Sequence, residues 1–132
     1  RVTPGKSPDL RDRTTVQAAI AKSKTLLASK RSQLHNSVAI LWEESQHKNT
    51  FTDEQLADVW AASCEAVKEA KCMLSEIYAV AGTSSLYQKY KIERAHRDIH
   101  AISQHGIIQP HWMDQAGMAY VGIKPTGAMF RT

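Results

Sequence analysis

Leu56, Trp60, Ser63, Val67, Ala70, Leu74, Ile77 and Ala81 follow one another at alternating steps of four and three. That spacing keeps one apolar or small face of a helix turned toward a partner for more than three heptads. Both ends of the helix are marked. Thr52 with Gln55 forms a capping-box pair, Asp53 and Glu54 place negative charge on the positive end of the helix dipole, and Gly82 supplies the stop. A helix of this length cannot bury its seam by itself, so a second long helix must lie against it.

The preceding segment provides one. Val16, Ile20, Ser23, Leu27, Leu34, Val38, Leu41 and Trp42 keep a three/four spacing from a start near Thr14 to an end near Gln46, interrupted by Lys30 and Arg31. Two helices of about 30 residues joined by the short link Lys48 to Phe51 must pack antiparallel. After a turn at Thr83 to Tyr87, Ile92, Ala95, Ile99 and Ile102 carry a third helix to about His105, where Gly106 breaks it. A last helix begins near Pro110 and ends near Gly122. The expected fold is all-α: an antiparallel helical bundle of two long and two shorter helices over 14–122. It is preceded by an irregular lead-in over 1–13, rich in Pro and Gly, and followed by a tail over 123–132.

Composition limits what such a bundle does. In 132 residues there is room for one domain, and the chain begins at Arg1 without an apolar signal core, so it is expected to be a piece of a longer protein. The uncharged part of Ile99 to Met113 is broken by histidines and Pro110, too short and too polar to span a bilayer. The net charge is +4 and its basic surplus lies in residues 1–50, where Lys22, Lys24, Lys30 and Arg31 read as a solvated helix face with no aromatic residue interleaved; nucleic acid is not expected as a partner. Cys64 and Cys72 lie about 12 Å apart along one helix, beyond disulfide reach, and read as reduced core residues of a cytoplasmic protein.

Histidine concentrates between His96 and His111. His96 and His100, at i and i+4, could share a metal, but no Glu accompanies them as a protease motif requires, and no metal site is expected. Arg94, Arg97 and Asp98 read as a structural ion-pair set. His105, before the helix-breaking Gly106, is where a side chain can point from a helix end into a cavity and an imidazole serve as base or hydrogen-bond donor near neutral pH; on its residues alone a satisfied core or surface role is the stronger reading. The turn Ala81-Gly82-Thr83-Ser84-Ser85 offers N–H groups and hydroxyls in a setting that can hold phosphate, although by itself it reads simply as a turn.

The order of these signals resembles the C-terminal helical domain of acyl-CoA dehydrogenase-like flavoproteins: a long helix, a second ending in Ala81-Gly82, then Thr83-Ser84-Ser85-Leu86-Tyr87, Glu93-Arg94-Ala95-His96-Arg97-Asp98, His105 and Ala116-Gly117. The resemblance covers nearly the whole chain and is most specific at Arg94, Arg97 and Asp98. It implies a flavoenzyme, FAD or FMN dependent, whose other domains lie upstream, which assembles as a homodimer or homotetramer and is inactive as this fragment. It places Gly82, Thr83 and Ser84 near the adenine and phosphate end of a neighbouring subunit's flavin. Arg1, in Arg1-Val2-Thr3-Pro4-Gly5, is a further flavin contact by the same likeness, with Pro4 where relatives carry an aromatic residue.

Two departures separate the chain from true dehydrogenases. Ala79 stands where they carry a flavin-contacting Gln, and Gly106 stands where many carry the catalytic Glu. His105 instead matches a histidine of the flavin monooxygenase branch, in which a separate reductase delivers reduced flavin. The histidine then hydrogen-bonds the oxygen-bearing flavin or takes a phenolic proton. The expected function is therefore a domain of a two-component monooxygenase with His105 as the catalytic residue. The alternatives are an acyl-CoA dehydrogenase with its base upstream and a non-enzymatic helical oligomerisation module, for which the seam of the second helix would suffice.

Overall fold

The computed structural model describes residues 9–131, apart from the side chain of Ser84. Four helices account for most of it: α1 Thr14–Ser45, α2 Asp53–Ala81, α3 Lys91–Ile102 and α4 His111–Tyr120, and no strand occurs among the described residues. The fold is the all-helical one that the spacing implies.

α2 starts and stops as its sequence dictates. Thr52 Oγ1 accepts from the Gln55 N–H at 3.2 Å and Gln55 Oε1 accepts from the Thr52 N–H at 3.0 Å, so two donors of the first turn are satisfied reciprocally. At the far end Gly82 takes φ 62 and ψ −145, a conformation open to glycine, and the helix cannot continue. α1 packs antiparallel to α2, its early Lys22 pairing at 2.8 Å with Glu76 near the end of α2. The remaining helices lie along α2 in sequence. α3 follows its C-terminal half, where Tyr78 stacks on His96, and α4 follows its N-terminal half, where the Tyr120 hydroxyl donates to Asp58 at 2.8 Å. The segment joining α3 to α4, which carries His105, sits against the middle of α2 beside Cys64.

This central position explains why the burial of α2 departs from a single stripe. Its buried residues are Leu56, Ala57, Ala62, Cys64 and Met73, spread around the helix because α1, α3 and α4 cover different sides. Among the described residues α1 packs chiefly on α2. It buries the small or short residues Val16, Ala19, Ser23 and Ser37, which allow close approach, while Ile20, Leu27 and Val38 stay exposed and Trp42 is 67% exposed. Cys72, expected in the core, is exposed; Cys64 is buried, and both are free thiols.

The segment after Gly122, expected as a tail, folds back onto the bundle. Gln115 Oε1 accepts from the N–H groups of Thr126 and Gly127, each at 2.7 Å, and Lys124 pairs with Asp53 at 2.7 Å. Phe130 is thereby delivered into the core, 1% exposed, among Leu56, Ala57, Cys64, Trp112, Ala116 and Ala119. Burying such a ring contributes on the order of 2–3 kcal/mol, enough to hold a short segment that has no long helix of its own.

Candidate functional site

α3 stops three residues before His105. The Ser103 N–H donates to the Ile99 carbonyl at 3.0 Å and the Ser103 hydroxyl to the His100 carbonyl at 2.8 Å, closing the last turn. His105 then takes extended backbone (φ −66, ψ 136) and opens a single 3-10 turn, Gly106–Ile108. The expectation of a helix running to His105 is corrected accordingly: the imidazole stands at the entry of a turn, where its own Nδ1 competes for a backbone donor.

That donor is the Ile107 N–H, 3.3 Å from Nδ1. A nitrogen that accepts a hydrogen bond carries no proton, so in the neutral ring the hydrogen sits on Nε2. The ring is exposed, and Nε2 has no partner among the described residues. The backbone around it is held firmly. The His105 carbonyl accepts from the Ile108 N–H at 2.9 Å and from Gln109 Nε2 at 3.1 Å, and the Gly106 carbonyl accepts from Trp112 Nε1 at 2.9 Å. The site is a fixed imidazole presenting one donor outward. Beside it, a Cβ at Gly106 would meet nothing within 4 Å, so packing does not demand glycine there.

The glycine turn lies elsewhere. Gly82–Leu86 forms a 3-10 turn in which the buried Ser85 hydroxyl donates to the Gly82 carbonyl at 2.6 Å, while Gly82 and Thr83 are exposed. It precedes α3 and His105 follows it, so a helix of twelve residues, about 18 Å long at ~1.5 Å per residue, stands between the two. This chain does not bring them into one pocket. Arg1 and the side chain of Ser84 lie outside the described residues.

The other candidates resolve into structure. Arg97 pairs with Glu93 at 2.7 Å and Arg94 with Asp98 at 3.5 Å, both along the surface of α3 at i,i+4 spacing. His96 sits between Tyr78, at 4.3 Å, and His100, at 4.6 Å between ring centres. Burial first, then Lys71 and His96, hold the His100 imidazole below its usual pKa, and its Nε2 is enclosed without a hydrogen-bond partner. Among the described residues no group of three or more His, Cys, Asp or Glu converges as a metal site would require, and no helix is long and apolar enough to cross a membrane.

Ile107 and Trp112, which orient His105, were not marked by motif. Their signal was the position of His105 immediately before a glycine, two residues ahead of a free N–H, a local arrangement that sequence spacing does not distinguish from an ordinary turn.

Comparison with known proteins decides the family. A family model described as "Acyl-CoA dehydrogenase, C-terminal domain" matches residues 1–110. The chain belongs to the acyl-CoA dehydrogenase C-terminal domain family. Within this flavin-dependent family, it is 22% identical over 130 residues to an indole-3-acetate monooxygenase of Acinetobacter baumannii, a match covering 95% of this chain and 33% of that protein. No solved structure matches. The chain thus spans about a third of the length of the curated relative it matches.

Proposed function

We propose that this chain is the C-terminal helical domain of a flavin-dependent monooxygenase of the two-component type, acting with reduced flavin and O₂ on a small organic substrate such as an aromatic acid. The observation that carries the reading is the outward Nε2–H of His105, fixed by the Ile107 N–H on the other side of the ring and placed next to a glycine. Many dehydrogenases carry a carboxylate here to take a substrate proton, whereas an oxygenase uses a neutral donor. The 22% identity to a monooxygenase supports the same choice.

The residues present fit a flavin partner in two places. His105 offers a rigid hydrogen-bond donor for the ring end, and the exposed Gly82–Thr83 backbone offers an open surface for the phosphate end, where a Cβ at Gly82 would meet no atom within 4 Å. Because α3 separates the two, they serve different ends of the cofactor system, in keeping with a turn that serves a neighbouring subunit's flavin. Arg1 and Ser84 join the phosphate end in this reading. Bound reduced flavin, FAD or FMN, would supply the electrons that activate O₂. His105 would hold its proton at Nε2 for donation, its Nδ1 being occupied by the Ile107 N–H.

In this reading the upstream domains complete the pocket, a reductase delivers the flavin, and the protein works as a cytoplasmic homo-oligomer. The four helices span 14–122 and the folded-back segment after them closes the core, with 1–13 leading in from the preceding domain. The large apolar side chains left uncovered on α1, Ile20, Leu27, Ile40 and Trp42 among them, suit burial in such an assembly. In the intact protein, His105→Ala is expected to lower product formation about 100-fold and raise H₂O₂ release while flavin still binds. Unchanged product formation would remove the assignment of His105 and the oxygenase reading with it.

A further inference from the structure

Between the middle of α2 and the segment that links α3 to α4 lies a cavity of about 350 Å³ that none of the preceding roles uses. Its apolar lining comes from Val67, Ile108, Pro110 and Met113, with the Cys64 thiol among them. Burial pushes the Cys64 thiol pKa up, so this sulfur contributes no negative charge, and its hydrogen is directed to the Gln109 carbonyl at 3.9 Å. A space of this size is at the small end of ligand pockets, which run from ~300 to ~1,000 Å³. It suits one or two rings and is far too small for a nucleotide thioester.

The charges around the cavity do not cancel. Glu65, Lys68 and Lys71 all contribute to the lining. Lys68 Nζ is committed to Glu65 Oε1 at 3.0 Å, whereas the Lys71 ammonium has no hydrogen-bond or ion-pair partner among the described residues. His100, which feels Lys71, is held toward its neutral form, and the Ser103 hydroxyl, also in the lining, spends its hydrogen on the His100 carbonyl. One half-buried cation therefore faces an apolar space with no anion of its own.

We propose that this cavity is a binding site for a small cyclic monocarboxylate, its ring packed against Val67, Ile108, Pro110 and Met113 and its carboxylate on Lys71 Nζ. A single negative charge matches the single uncompensated cation. A dianion would bring its second charge toward Glu65, and a neutral ligand would leave Lys71 unmatched. Because Ile108 belongs to the turn that His105 opens, an occupant would also brace the backbone behind that imidazole.

The test reads binding on the 132-residue chain by NMR, without flavin or turnover, so its outcome is separate from that of the oxygenase reading. Phenylacetate is titrated against isotope-labelled protein and compared with phenylacetamide, which has the same ring and no charge. Saturable shifts of the Met113 methyl and Ile108 amide signals are expected with phenylacetate, with binding about five- to tenfold weaker for the amide and for Lys71→Met. Lys71→Arg, which keeps the charge, should bind within a few-fold of the parent, and circular dichroism of each variant verifies folding. Equal binding of acid and amide, full binding by Lys71→Met, shifts confined to Ile20 and Met73 in the groove between α1, α2 and α3, or no saturable shift up to about 20 mM would each overturn the proposal.

Discussion

Trp112 Nε1 donates to the Gly106 carbonyl at 2.9 Å, so the first turn of α4 is pinned to the residue that follows His105. The same indole stacks on Trp60 of α2 at 5.6 Å and is 7% exposed, which makes the position of the imidazole turn a property of the core rather than of the loop. A loop placed this way does not need its own apolar anchor.

Trp112→Phe keeps a ring in the core but leaves the Gly106 carbonyl without its donor. The loss should cost about 1–2 kcal/mol in urea unfolding, and the Ile107 amide, whose N–H meets His105 Nδ1, should shift in the NMR spectrum. A variant with parental stability and an unmoved Ile107 signal would show that the indole does not set the turn.

Gly127 has an ordinary φ of −64, so backbone conformation does not demand glycine there. Space does: an added Cβ would lie 2.8 Å from Cζ3 of Trp112 and 3.3 Å from Cγ of Gln115. The indole is locked by its hydrogen bond and by Trp60, so Gly127→Ala should destabilise the chain by about 1–3 kcal/mol, read as a lower Tm. Equal or greater stability would mean that the segment ending in Phe130 is not seated on Trp112.

His100 provides a pH dependence whose sign follows from its surroundings. Burial, Lys71 on α2 and His96 on α3 disfavour its charged form, so its folded pKa lies below the ordinary 6.5. The unfolded chain then binds the proton first: the stabilisation is complete above 6.5 and drains away as pH falls from there toward the folded pKa. Urea unfolding between pH 7 and pH 5 should show this slope, and His100→Gln should flatten it. An NMR titration placing His100 at or above 6.5 would refute the sign.

How far the residues foretell the structure differs from helix to helix. α2 was legible because Thr52, Gln55 and Gly82 act through their own backbone neighbours, and local rules need no partner. The seam drawn along α1 through Ile20, Leu27 and Val38 reads as a buried face, yet α2 instead takes the smaller Val16, Ala19, Ser23 and Ser37, because the closeness of two helix axes is decided jointly by both. The extent of α3 was overrun for a similar reason. Ser103 and His105 each divert a hydrogen bond, an outcome that apolar spacing does not record. At the candidate site the identity of His105 was visible in the chain, whereas its tautomer turns on how the next two residues fold, bringing the Ile107 N–H to Nδ1, and the unpaired Lys71 depends on groups distant in sequence.

The refolded C-terminal segment has a practical side. Trimming at Gly122, just past the end of α4, would remove Phe130 and the Lys124 bond to Asp53 together, uncapping Leu56 and Ala57 to water. A shortened version designed from helix ends alone would be a protein with a hole in its floor, and dull behaviour from it would say nothing about the imidazole.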